Sequence, residues 1–157
     1  MKLSYLALFA ALALAGCNQG PVSSGDEKPA AGQLSVTGGK LVLPAVAGNP
    51  GAAYFPVTNG TGQPASLAAA TVEGAAKAEM HETSAGSMEP LTVLTLGPGA
   101  AVTFEPGGKH VMVFGVPKSL KAGGTAKLTL TFSGGKTATG TLQVAAAGGG
   151  DMHGDMH

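Results

Sequence analysis

The chain has 157 residues, enough for one domain, and its nine Lys balance nine Asp plus Glu with no Arg and no Trp. A net charge of zero gives no basic face for nucleic acid. A single cysteine, Cys17, excludes an internal disulfide.

The start is a basic residue, Lys2, followed by an apolar run from Leu3 to Leu14 and then Leu14-Ala15-Gly16-Cys17. A basic start, a short apolar stretch and small residues at a cleavage point describe a secretory signal over residues 1–16. The run is too short to remain as a membrane-spanning helix. Leu-Ala-Gly-Cys resembles the bacterial lipobox, which makes Cys17 the lipidated first residue of the mature protein. Acyl chains there anchor a protein stably to a membrane. Asn18, where Asp would signal inner-membrane retention, favours the outer membrane. The expected location is therefore the periplasmic side of a bacterial membrane. Residues 17–32 are rich in Pro, Gly and Ser and read as a flexible tether.

From Gln33 the pattern becomes β-like. Leu34–Val36 and Lys40–Leu43 flank Thr37-Gly38-Gly39, a hairpin or a bend. Residues 52–58 form a strand, with Pro56 marking an edge or bulge. Asn59-Gly60 signals a tight turn. The Ala-rich residues 65–79 have helical propensity, but Thr71, Val72 and Gly74 interrupt them and favour two strands, 65–72 and 75–82. Further strands are expected at 91–96, 102–105 and 109–116, and a final hairpin at 127–132 and 136–144 turns at Ser133-Gly134-Gly135. Many short strands with frequent turns indicate an all-β sandwich or Greek-key barrel of seven to nine strands over residues 33–146. Residues 147–157 form a small-residue spacer and tail.

The chemistry lies in two places. Apart from Met1, every Met and every His falls either between Met80 and Met112 or in the last six residues. His110 and Met112 are two apart on an expected strand, so both side chains share one face. His81 ends another strand, and Met88 follows a Ser- and Gly-containing loop. If that loop lies beside the 110–112 strand, two imidazoles and two thioethers converge. Met80 alternates with His81 and is expected to pack. Thioether is a soft donor that favours Cu(I), imidazole suits copper among others, and zinc seldom takes Met. Glu79, Glu82 and Glu89 nearby read as solvated or supporting groups. In the tail, Met152, His153, Met156 and His157 repeat Asp-Met-His, a set able to take Cu(I) or Cu(II).

Residues 52–116 resemble the PCu(A)C (DUF461) family of periplasmic copper chaperones. The carrying residues are Ala53-Tyr54-Phe55, Thr58-Asn59, Met80-His81-Glu82-Thr83, Met88, Pro106-Gly107-Gly108, His110-Val111-Met112 and Gly115. Twenty-one residues, 89–109, separate Met88 from His110, as in the family signature. The six residues 82–87 between His81 and Met88 are fewer than that signature has. The resemblance implies a cupredoxin-like Greek-key β-barrel that holds Cu(I) through His81, Met88, His110 and Met112. It implies delivery to an acceptor such as the CuA subunit of cytochrome c oxidase, often beside a Sco-like thiol protein. It also implies further copper, including Cu(II), on a His/Met-rich tail. A monomer without enzymatic activity is expected.

The competing readings are a copper-buffering or resistance lipoprotein and a structural envelope β-domain without metal. A blue-copper electron carrier would need a Cys ligand in the fold, and no nucleophile–base constellation suggests an enzyme.

Overall fold

The computed structural model describes residues 32–148. The lipidation position Cys17 and the tail ligands Met152, His153, Met156 and His157 lie outside the described residues. Within them the chain forms eleven strands: β1 (Leu34–Val36), β2 (Lys40–Val42), β3 (Gly51–Asn59), β4 (Ala65–Val72), β5 (Lys77–Ser84), β6 (Ser87–Pro90), β7 (Leu94–Leu96), β8 (Ala101–Phe104), β9 (Lys109–Phe114), β10 (Thr125–Phe132) and β11 (Thr137–Ala145). No helix occurs among the described residues. The Ala-rich stretch is strand, because β4 is fixed by pairing with β10 and β7, and tertiary pairing overrides propensity.

Strand order along the main sheet is β6-β5-β9-β3-β2-β11-β10-β4-β7, with β1 and β8 added to β3. All pairs are antiparallel except β2 with β11. The spine is β3. Its first residues pair with β9 and β2, and its last pair with β1 and β8. A strand that serves two sheets in this way makes a corner, so one sheet folds over the other. The burial of β3 alternates strictly, with Ala53, Phe55, Val57 and Asn59 inward. Facing residues Phe55 and Phe104 stack with ring centres 4.6 Å apart, worth about 1 kcal/mol beyond their burial. Phe132, Leu128, Leu130 and Leu142 close the core from β10 and β11.

Three expectations need correction, and one open alternative is settled. There are eleven strands rather than seven to nine, partly because Ser87–Pro90 is a strand that carries no apolar alternation. Residues 91–93 are not strand, and β7 begins only at Leu94. Thr37-Gly38-Gly39 is a bend and not a hairpin, since β1 and β2 each pair with β3 and not with one another. Asn59-Gly60 does not make a two-residue hairpin either. Asn59 is wholly buried; its amide donates to the carbonyls of Gln63 (2.8 Å), Leu96 and Gly97 (3.0 Å each) and accepts from Thr61. The side chain that signals a turn here ties two loops together, because a buried amide must satisfy both its ends.

Glycine is required at Gly115, where β9 ends. Its φ is +62°, and a Cβ there would lie 2.6 Å from that of Ala76. The close approach holds the start of β5 against β9, and the amide of Ala76 donates to the Phe114 carbonyl at 3.0 Å.

Candidate metal centre

The ladder between β5 and β9 places Met80 opposite Val111, His81 opposite His110 and Glu79 opposite Met112. Alternation divides these residues between two faces. Met80, Val111 and Val113 enter the core at 6%, 0% and 0% exposure. Glu79, His81, His110 and Met112 lie on the other face. Met80 therefore packs, with no access to the face that carries the imidazoles.

Met88 joins that face through β6. The β5–β6 hairpin pairs Ser84 with Ser87, Thr83 with Met88 and His81 with Pro90. A two-residue loop, Ala85-Gly86, connects them, with φ of +50° and +81°. Two positive φ values in succession match the twist that tight hairpins need. The six residues between His81 and Met88 are thus a hairpin rather than a loose loop. Met88 stands on the same face as His81, on the diagonal, a separation of about 7–8 Å between Cα atoms. It is 51% exposed. All four sequence-predicted residues of the folded part, His81, Met88, His110 and Met112, accordingly share one face across three adjacent strands. Ala52 of β3 sits opposite Met112 on the far side.

The two imidazoles face one another with ring centres 6.0 Å apart and planes 21° from parallel. An ion about 2 Å from one nitrogen of each ring would hold the ring centres on the order of 6 Å apart. His110 is buried, and its Nδ1 lies 3.0 Å from the Gly108 carbonyl oxygen. A carbonyl only accepts, so Nδ1 carries the proton and Nε2 keeps the lone pair. Gly108 is itself held by the Thr83 amide at 3.1 Å. His81 differs. Both of its ring nitrogens are buried and neither has a hydrogen-bond partner. Oε2 of Glu79 lies 3.6 Å from Nε2, beyond hydrogen-bond reach.

Charges flank the pair. Lys77 binds Oε1 of Glu79 and lies 6.0 Å from the centre of the Phe114 ring. The Lys77 hydrogen bond, followed by its charge and the neighbouring His81, lowers the Glu79 carboxyl below its usual range against a smaller opposing desolvation. Lys109 pairs with Glu82 at 2.6 Å. Among the described residues, no three His, Cys, Asp or Glu side chains group as metal donors.

Residues 33–144 match a family described as "Putative lipoprotein LpqE-like". The chain belongs to the LpqE-like family. The copper-bound PCuAC domain from PmoF2 has the same fold as this LpqE-like domain, at a TM-score of 0.63 and 24% identity over 76% of this chain and 98% of that one. The apo PCuAC domain from PmoF1 gives 0.61 and 24% over 76% and 99%. The solution structure of Cu(I)-DR1885 from Deinococcus radiodurans gives 0.61 and 27% over 73% and 80%. No curated protein matches the chain. The resemblance to PCu(A)C proteins thus holds at the level of the fold.

Two features of the LpqE-like site were not legible in the sequence. The β6 strand was hidden because Ala-Gly is an uncommon tight-turn pair. The placement of Glu79 opposite Met112 follows only from the register of β5 on β9.

Proposed function

We propose that this LpqE-like protein is a copper carrier that holds Cu(I) between His81, His110, Met88 and Met112 and passes the ion to an acceptor protein. The observation that carries the reading is the His81 imidazole: two buried ring nitrogens without partners, facing the buried His110 on the face that also presents Met88 and Met112. Buried polar atoms are nearly always paired, and an unpaired ring beside a second imidazole calls for a ligand. The thioethers decide which one, since neutral sulfur and nitrogen donors suit Cu(I) and disfavour zinc. The relatives of the same fold support this: one is named as copper-bound and another as its Cu(I) form.

Carriage rather than catalysis fits a site whose donors are neutral and partly exposed. Met88 at the sheet edge gives an incoming acceptor access to the ion. The CuA subunit of cytochrome c oxidase is the proposed acceptor, with a Sco-like protein as a companion. Lipidation at Cys17 would keep the carrier at the periplasmic face of a membrane, with the outer membrane favoured. Met152, His153, Met156 and His157 would bind further copper, including Cu(II).

Anaerobic Cu(I) competition titration of the mature protein, with and without residues 148–157, tests the reading. One tight site that survives removal of the tail is expected. Loss of all Cu(I) binding on that removal would leave the four-residue site without support. Normal copper loading of the oxidase in a deletion strain at low copper would count against delivery.

A further inference from the structure

His81 and His110 are chemically unequal in their surroundings. His110 has its Nδ1 against the Gly108 carbonyl, so the lone pair is at Nε2. His81 has its Nε2 3.6 Å from Glu79 Oε2, and neither of its ring nitrogens has a hydrogen-bond partner. Glu79 is held on its other oxygen by Lys77, which in turn sits by the Phe114 ring. Lys77, Glu79 and His81 follow one another at every second residue of β5, so all three project from one face. A shift of about half an ångström would close Nε2–H on the carboxylate. A carboxylate accepts and cannot donate, so that contact puts the proton on Nε2 and the lone pair on Nδ1.

We propose that Glu79 is the positioning residue of the copper site: it receives the Nε2 proton of His81 and makes Nδ1 the nitrogen that His81 gives to the metal, whereas His110 gives Nε2. The inference rests on the copper reading above. Ligating histidines commonly donate their second nitrogen to a carboxylate or a backbone carbonyl, which fixes the tautomer and raises the basicity of the ligand. Here His110 has the backbone carbonyl as its partner, and the Glu79 carboxylate stands 3.6 Å from His81. The Gly108 carbonyl is part of the backbone and cannot be lost by a side-chain substitution. The carboxylate can, so the Glu79 side chain is the adjustable half of the pair.

Long-range proton–nitrogen correlation spectra of the full mature chain, labelled with nitrogen-15 and recorded where the imidazoles are neutral, test this before and after one equivalent of Cu(I). The expected result is an Nε2–H tautomer at His81 and an Nδ1–H tautomer at His110, with Cu(I) shifting Nδ1 of the first and Nε2 of the second. Glu79→Gln keeps an acceptor and should keep the His81 tautomer. Glu79→Ala should mix the tautomers of His81 alone and weaken Cu(I) by about 10–100-fold. An Nδ1–H tautomer at His81, a Cu(I) shift at its Nε2, or a Glu79→Ala protein unchanged in both readouts would overturn the proposal alone. Cu(I) that moves neither ring would overturn the copper reading and this proposal with it.

Discussion

Asn59 and His81 are both polar side chains set into an apolar sheet, and they are solved in opposite ways. Asn59 sits at the corner of β3 with both ends of its amide satisfied. Its net worth is structural, because it joins the loop after β3 to the turn at Leu96-Gly97. His81 sits on β5 with neither ring nitrogen satisfied. Folding leaves it a cost rather than a gain, since buried polar atoms without partners are penalised by their lost hydration. The contrast separates a polar side chain that the fold satisfies from one whose buried ring nitrogens the fold leaves unsatisfied.

The largest expected effect comes from breaking the first member of the pair. Asn59→Ala takes a donor from the buried Leu96 carbonyl and the acceptor from Thr61, while the Gln63 carbonyl keeps the Thr61 hydroxyl and the Gly97 carbonyl keeps the Ala100 amide. It should cost about 2–4 kcal/mol in denaturant unfolding and leave Cu(I) affinity unchanged. Breaking the second should do the reverse. His81→Leu removes two unpaired nitrogens and fills the space with apolar atoms, so the unfolding midpoint should hold or rise. Cu(I) affinity in a competition titration should fall by at least about a hundredfold, equivalent to about 2.7 kcal/mol.

The methionines extend the contrast to residues of one type. Met80→Leu and Met112→Leu are both volume-conserving changes, each expected to cost less than about 1.5 kcal/mol of stability. Only Met112→Leu should weaken Cu(I) binding, by about tenfold, because Met80 faces the core. The smallest effect is expected at the hairpin that presents Met88. Ala85 holds φ at +50°, a conformation that suits glycine better. Ala85→Gly should change stability by less than about 1 kcal/mol and leave Cu(I) affinity within a factor of two. A large affinity loss would mean that the turn itself helps to form the site.

The fold was legible wherever alternation and turn chemistry agreed. The β10–β11 hairpin at Ser133-Gly134-Gly135 and the two faces of β9 are examples. It was illegible where a side chain acts at a distance. Asn59 carries the residue type of a turn, yet its partners Leu96 and Gly97 are far along the chain. Ser87–Pro90 is exposed throughout, so no hydrophobic period marks it, and its strand character comes from the neighbour it pairs with. The candidate site divides the same way. His110 and Met112 share a face by local geometry alone. The approach of His81 to His110, and the placing of Met88 on the same face, depend on strand pairing that spacing along the chain does not encode.

Copper K-edge absorption of the full mature chain loaded with one equivalent of Cu(I), carrying alanine at Met152, His153, Met156 and His157, tests the central claim most directly. A shell of mixed sulfur and nitrogen scatterers is expected, with the sulfur lost and the nitrogen retained when Met88 and Met112 are both replaced by Leu. A shell without sulfur, or one that the double replacement leaves unchanged, would contradict the site.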